Sequence, residues 1–171
     1  DVYKRQKQDP SDLVFFLDDS KGIGSDEEIE RYKIRRKYWE SVLPSLQEAT
    51  GTFLNISPSK NNSIMGATAR SGVYLCCVAN YDSARVEIFI DQGDYQKNRA
   101  IYKRLEQNRD AIEVAYGKSL NWVCQDDVRA CKVYDEIKEV SIKNEEDRPV
   151  MSAFHIQRAK ALLVATKQFL A

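Results

Sequence analysis

The sequence predicts an α+β domain, with a mainly antiparallel sheet and three long helices in the order helix, strands, helix, strands, helix. Three observations carry this. Apolar residues recur at helical spacing after Ser25, after Asp94 and after Asp147. Residues 72–79 instead form a short run apolar on both faces and residues 85–91 follow a period of two, with a four-residue turn between them. Strand and helix runs are grouped and do not alternate one by one, which favours an antiparallel sheet over a parallel one.

The first helix is expected to start at Ser25. Ser25 and Glu28 have capping-box spacing, and Asp26, Glu27 and Glu28 place acids at the positive end of the helix dipole. At about 100° per residue, Tyr32, Trp39, Val42, Leu43 and Leu46 share one arc, which is the core face. Pro44 lies inside this pattern and predicts a kink or an early break, because it has no N–H and clashes with the preceding turn. Gly51 ends the element.

Residues 53–62 read as an extended piece and a turn, and Ile64 and Met65 open a strand. In the next run Val73, Leu75 and Cys77 alternate with Tyr74, Cys76 and Val78, so both faces are expected to be covered. Asn80-Tyr81-Asp82-Ser83 is the turn of a hairpin. In the returning strand Val86, Ile88 and Ile90 face one way, and Arg85, Glu87, Phe89 and Asp91 the other.

A second long helix is expected from Gly93-Asp94 to Gly117, with Ile101, Leu105, Ile112 and Tyr116 facing inward. Residues 120–124 and 130–137 read as two further strands around a turn at Asp126-Asp127, with a short strand near Val140. The last helix is expected to be capped by Asp147, with Pro149 in its first turn and Met151, Phe154, Leu162, Ala165 and Phe169 along its apolar stripe.

The chain has 171 residues, of which 43% are hydrophobic and 30% charged. A chain of this size buries roughly 70% of its unfolded surface, enough for a core without staples. No apolar run reaches the roughly 20 residues that span a bilayer, so no membrane partner is expected. The 26 basic and 26 acidic residues cancel, which argues against a generally basic nucleic-acid binder but leaves room for a local patch. Asp1 to Gln6 looks like the translated end of a sequencing-library adapter. Residues 1–24 are therefore expected to be that scar plus a linker or the tail of a lost upstream domain, and residues 25–171 a single α+β domain. Leu13 to Leu17 is a short apolar run within this first stretch, and reads as a strand. Cys76, Cys77, Cys124 and Cys131 lack zinc-knuckle spacing and are expected to be reduced thiols, mostly buried, in the cytoplasm.

Candidate chemistry is sparse. The one histidine, His155, falls on the apolar face of the last helix and is expected to be a satisfied core residue. Arg158 shares that face, and Arg35 lies on the core arc of the first helix. Buried cations need partners. The plainer expectation is that each Arg lies along the core edge with its head in water. The sharper one is that these helix cations meet the strand face of Arg85, Glu87 and Asp91 in a cleft that takes an anion or polar ligand or simply locks helix to sheet. Glu87 and Asp91 are about 13 Å apart along a strand, too far to share one ion, so no metal is assigned. No glycine-rich phosphate loop or nucleophile elbow is present, and no cofactor is assigned. Arg31, Lys33, Arg35, Arg36 and Lys37 interleave with Tyr32, Tyr38 and Trp39, a pattern that suits phosphate contacts but reads first as a solvated flank.

A set of collinear segments adds a resemblance. They are Tyr38-Trp39 with Val42-Leu43-Pro44, residues 55–60, residues 85–91, residues 105–113 with Gly117, Leu120-Asn121-Trp122, and Arg129-Ala130-Cys131. With these the chain resembles the bacterial and archaeal family called domain of unknown function 4268, from about Tyr38 to the C-terminus. Arg148 departs from the aromatic expected there, which puts the packing of the loop before the last helix in question. The resemblance implies a C-terminal module behind a nuclease-like domain, in settings of DNA processing or defence, and carries over no catalytic residue. The leading expectation is thus a non-catalytic accessory module that contacts nucleic acid or a partner domain through Lys60, Arg70, Arg85 and Glu87. The alternatives are a phosphodiesterase or nuclease using Glu87 and Asp91, and a structural dimerisation domain.

Overall fold

The computed structural model describes residues 25–171. The expectations about the adapter-like residues, the linker and the Leu13–Leu17 strand lie outside the described residues. Among the described residues the fold is α+β: a five-stranded antiparallel sheet and four helices. Helix α1 spans Asp26–Thr50, followed by strands β1 (Ser63–Ala67), β2 (Val73–Ala79) and β3 (Ser83–Ile90). Helices α2 (Tyr95–Gln107) and α3 (Arg109–Tyr116) come next, then β4 (Asn121–Val123), β5 (Cys131–Lys138) and α4 (Arg148–Leu170). The strand order is β1-β2-β3-β5-β4.

Local chemistry explains most boundaries. The Glu28 N–H donates to Ser25 Oγ at 3.1 Å, and Gly51 closes α1 at φ 71°. Pro44 does not break the helix. Its own side is exposed, while Trp39, Val42, Leu43 and Leu46 on the opposite arc are buried. Packing of that arc outweighs the one lost backbone bond. The expected long second helix is two helices. At Asn108 the backbone turns to φ −108° and ψ 20°, and the Asn108 side chain donates to the Arg104 carbonyl. A short amide that bonds its own backbone competes with the helix. The strand expected near Val140 does not form, because Glu139 adopts φ 62° and its N–H donates to Asp82 O. Asp147 precedes α4 but does not cap it. Its carboxylate accepts from the Ser141 N–H and from Asn144 Nδ2.

The hairpin parity holds. Val73, Leu75, Cys77, Val86, Ile88 and Ile90 join one main core with Trp39, Leu46, Leu105, Ile112, Met151 and Leu162 from the helices. The opposite face carries a small second cluster of Cys76, Phe89 and Ala130, which no residue of the described helices joins. The cysteine expectation is corrected in part. Cys76 and Cys77 are buried thiols outside any disulfide, but Cys124 and Cys131 form one. Their positions follow from register: Val123 pairs with Lys132 across β4 and β5, so the next residues outward face each other. No helix among the described residues is long and apolar enough to cross a membrane.

Candidate functional site

Among the described residues the helix cations and the β3 ions do not meet in one cleft, for a reason of parity. The helices pack on the face that carries Val86 and Ile88, so Glu87 points away from them. Within the opposite face Arg85 lies 3.6 Å from Glu87 and 3.3 Å from Glu136, with its guanidinium 3.8 Å over the Tyr134 ring. Arg85 is 5% exposed and Glu87 0%, so this cluster is interior structure. Asp91, just past the end of β3, is forked by Arg129 at 3.0 and 2.8 Å and also accepts from Gly93 N–H and Asn98 Nδ2. Burial disfavours its charge, but the hydrogen bonds it accepts, that of Arg129 foremost, outweigh this and hold the carboxyl well below the usual range.

Arg158 does meet a strand carboxylate, though not the expected one. Its Nε lies 4.0 Å from Asp135 of β5 and 3.0 Å from the Tyr116 hydroxyl, which itself donates to Asp135 at 2.5 Å. Arg35 stands beside the hairpin turn, 5.9 Å from the Tyr81 ring, and Lys60 sits 4.8 Å over Tyr32. Arg70 is in the β1–β2 turn, at the other end of β1 from Lys60. The seven residues named from the sequence are therefore spread over several places.

His155 is fully buried and satisfied, as its phase suggests. Its Nε2 lies 2.9 Å from Val78 O, and a carbonyl can only accept, so Nε2 carries the proton. Nδ1 then accepts from the Tyr38 hydroxyl at 2.7 Å. Burial lowers the imidazole to about 4, so it is neutral near pH 7. Burial first, and then the nearby Cys77, pushes the Tyr38 phenol far up, which keeps it a donor.

What the sequence reading missed is a cleft of about 830 Å³ between α1 and the start of α4. Lys33, Lys37 and Ser41 line one wall. They fall at i, i+4 and i+8, one stripe of a helix. Lys143, Arg148 and Ser152 line the other. Ile34, Tyr38 and Pro149 supply apolar lining, with Tyr38 nearly buried at the floor. Arg148 is the residue that departs from the expected aromatic, and here it organises the wall. Its Nε donates to Ile142 O at 2.7 Å and its Nη2 to Lys143 O at 3.3 Å. Four cations face two carboxylates, Glu30 and Glu145. Among the described residues no carboxylate comes within ion-pair distance of Lys33, Lys37, Lys143 or Arg148. No three His, Cys, Asp or Glu side chains among the described residues converge as a metal ligand set.

The molecule is thus an α+β domain with an interior ion cluster and a separate cationic cleft. The chain belongs to the family described as Domain of unknown function (DUF4268), whose pattern matches residues 34–170. No curated protein and no solved structure matches it.

Proposed function

We propose that the chain is a non-catalytic binding module that engages nucleic acid, serving as the accessory part of a larger nucleic-acid-processing protein with an upstream nuclease-like domain. The single observation that supports the reading is the convergence of Lys33, Lys37, Lys143 and Arg148 in one cleft of a chain with zero formal net charge. Phosphates are the polyanion such a patch takes, and each neutralised phosphate releases counterions. The recognition surface moves accordingly from Arg85 and Glu87, which are interior, to α1 and α4. A reading as an enzyme acting through Glu87 and Asp91 gains no support, since Glu87 is fully buried and Asp91 is held by Arg129.

The test is binding of a fluorescent oligonucleotide as a function of salt. Log K falls linearly against log salt, with a slope of about −0.7 for each single-strand phosphate neutralised. Lys37→Glu and Lys143→Glu each weaken binding and flatten the slope, with an unchanged melting temperature. Arg85→Ala does the converse: it lowers the melting temperature and leaves the slope of the folded protein intact. Absence of binding at low salt overturns the reading.

A further inference from the structure

The shape of the cleft narrows the ligand. We infer that it admits one nucleotide of a single strand and excludes duplex, an inference that rests on the nucleic-acid reading above. Two features of the site carry it. Its volume, about 830 Å³, lies in the range of roughly 300–1,000 Å³ that encloses a ligand of small-molecule size. Its cations stand on two facing walls, Lys33 and Lys37 on α1 against Lys143 and Arg148 by α4. A duplex keeps its bases stacked and paired inside a stiff rod, so it offers no base to the apolar lining of Ile34, Tyr38 and Pro149. A single strand can turn a nucleotide inward.

The interior of the cleft then has the chemistry for both halves of that nucleotide. The phosphate is held between the two walls of cations. The sugar and base meet Ile34, Pro149 and the edge of Tyr38, with Ser41 and Ser152 as adaptable hydroxyl partners. Sequence tolerance follows, because apolar contact and hydroxyls do not distinguish base edges as a fixed donor and acceptor set does. A free nucleoside monophosphate offers the same chemistry as a strand and is expected to compete for the site.

Ser41 gives the decisive variant. It is exposed on α1, and its hydroxyl bonds only the Tyr38 carbonyl at 2.7 Å within its own helix. Ser41→Trp fills the cleft and leaves every charge in place. The full chain is titrated by fluorescence anisotropy with a labelled thymidine 12-mer, with a blunt 12-base-pair duplex, and with the 12-mer in the presence of thymidine 5′-monophosphate. The expected results are at least tenfold tighter binding of the single strand than of the duplex, displacement by the monophosphate but not by equal inorganic phosphate, and loss of the single-strand preference in Ser41→Trp. Lys37→Glu, at an exposed helical position, weakens single-strand binding at least tenfold and serves if the tryptophan variant fails to fold. Equal affinity for strand and duplex, unaffected by Ser41→Trp, overturns the inference and leaves the nucleic-acid reading standing. Displacement by inorganic phosphate alone as effective as by the monophosphate also overturns it, because the apolar lining then contributes nothing. Binding of neither strand nor duplex at low salt overturns both.

Discussion

His155 shows how one residue can couple the core to pH. The imidazole is neutral in the fold, with its ordinary value near 6.5 lowered to about 4 by burial. The unfolded chain therefore binds a proton over that interval that the folded chain refuses. Stability is full above about pH 6.5 and is lost as pH falls toward 4, by roughly 3 kcal/mol for a shift of this size. Chemical denaturation of the wild type and of His155→Gln at pH 7.5 and pH 4.5 checks this. The wild type loses stability that the variant, weaker at both values, does not lose. The same residue illustrates what the sequence discloses. Its phase on an apolar helix stripe sufficed to place it in the core. Its two partners, the Tyr38 hydroxyl and Val78 O, lie 117 and 77 residues away, and no local pattern encodes such pairings. The ions of β3 make the complementary case. Alternation put Arg85 and Glu87 on one face, but whether that face met helices, water or its own sheet depended on which side the helices packed. Glu136 and Tyr134 of β5, the residues beside Arg85, were not singled out beforehand. Removing one partner of a buried ion pair typically costs about 3–5 kcal/mol, and Glu87→Ala is expected to fall in that range by urea denaturation.

At the scale of elements, the two misread helices differ in cause. Pro44 is a strong local signal that tertiary packing overrides, since the apolar arc of α1 runs past it on both sides. Its cost remains in the fold. Pro44→Ala, at an exposed position of an intact helix, is expected to raise stability by about 1–3 kcal/mol, measured as an increase in melting temperature. Asn108 is a weak signal that wins, because a break there lets α3 leave the line of α2 and pack against α4. The β4–β5 connection shows a third kind of miss. Cys124 and Cys131 are seven residues apart, unremarkable as a spacing, and only the strand register sets them opposite each other. In the loop-entropy model a closed loop of eight residues stabilises by about 2.5 kcal/mol. The double variant Cys124→Ser/Cys131→Ser is expected to lose about that much, and a dithiol reductant is expected to lower the wild type to the same level. The loop has a second tether in Arg99, whose guanidinium donates to the carbonyls of Gln125, Val128 and Arg129. Reduction should therefore loosen the turn without releasing β5.

For the whole molecule, composition and pattern gave the architecture, and the family resemblance agreed with it. The cleft was not legible. Lys33 and Lys37 were visible as part of a basic run that reads as a solvated flank, and Lys143 and Arg148 stood more than a hundred residues away in a charged loop. Only the packing of α1 against α4 closes the distance. A net charge of zero hid the patch further, because its surplus of cations is cancelled elsewhere on the surface. Long-range attraction to a polyanion is correspondingly weak, and binding should depend on contact within the cleft. Moderate salt is therefore expected to reduce affinity less than in a uniformly basic protein, which the slope of the titration reports.

The neighbouring thiols of β2 offer a built-in gauge. Cys76 and Cys77 point to opposite sides of one strand, and both are wholly inaccessible. Burial raises the Cys77 thiol as well, so little thiolate forms while the fold is closed. An alkylating dye added to native protein must then wait for the helices to lift off before it tags Cys77, whereas Cys76 is tagged once the reverse of the sheet is uncovered. Peptide mapping of the two adducts over time would clock the two layers separately, with no engineered label.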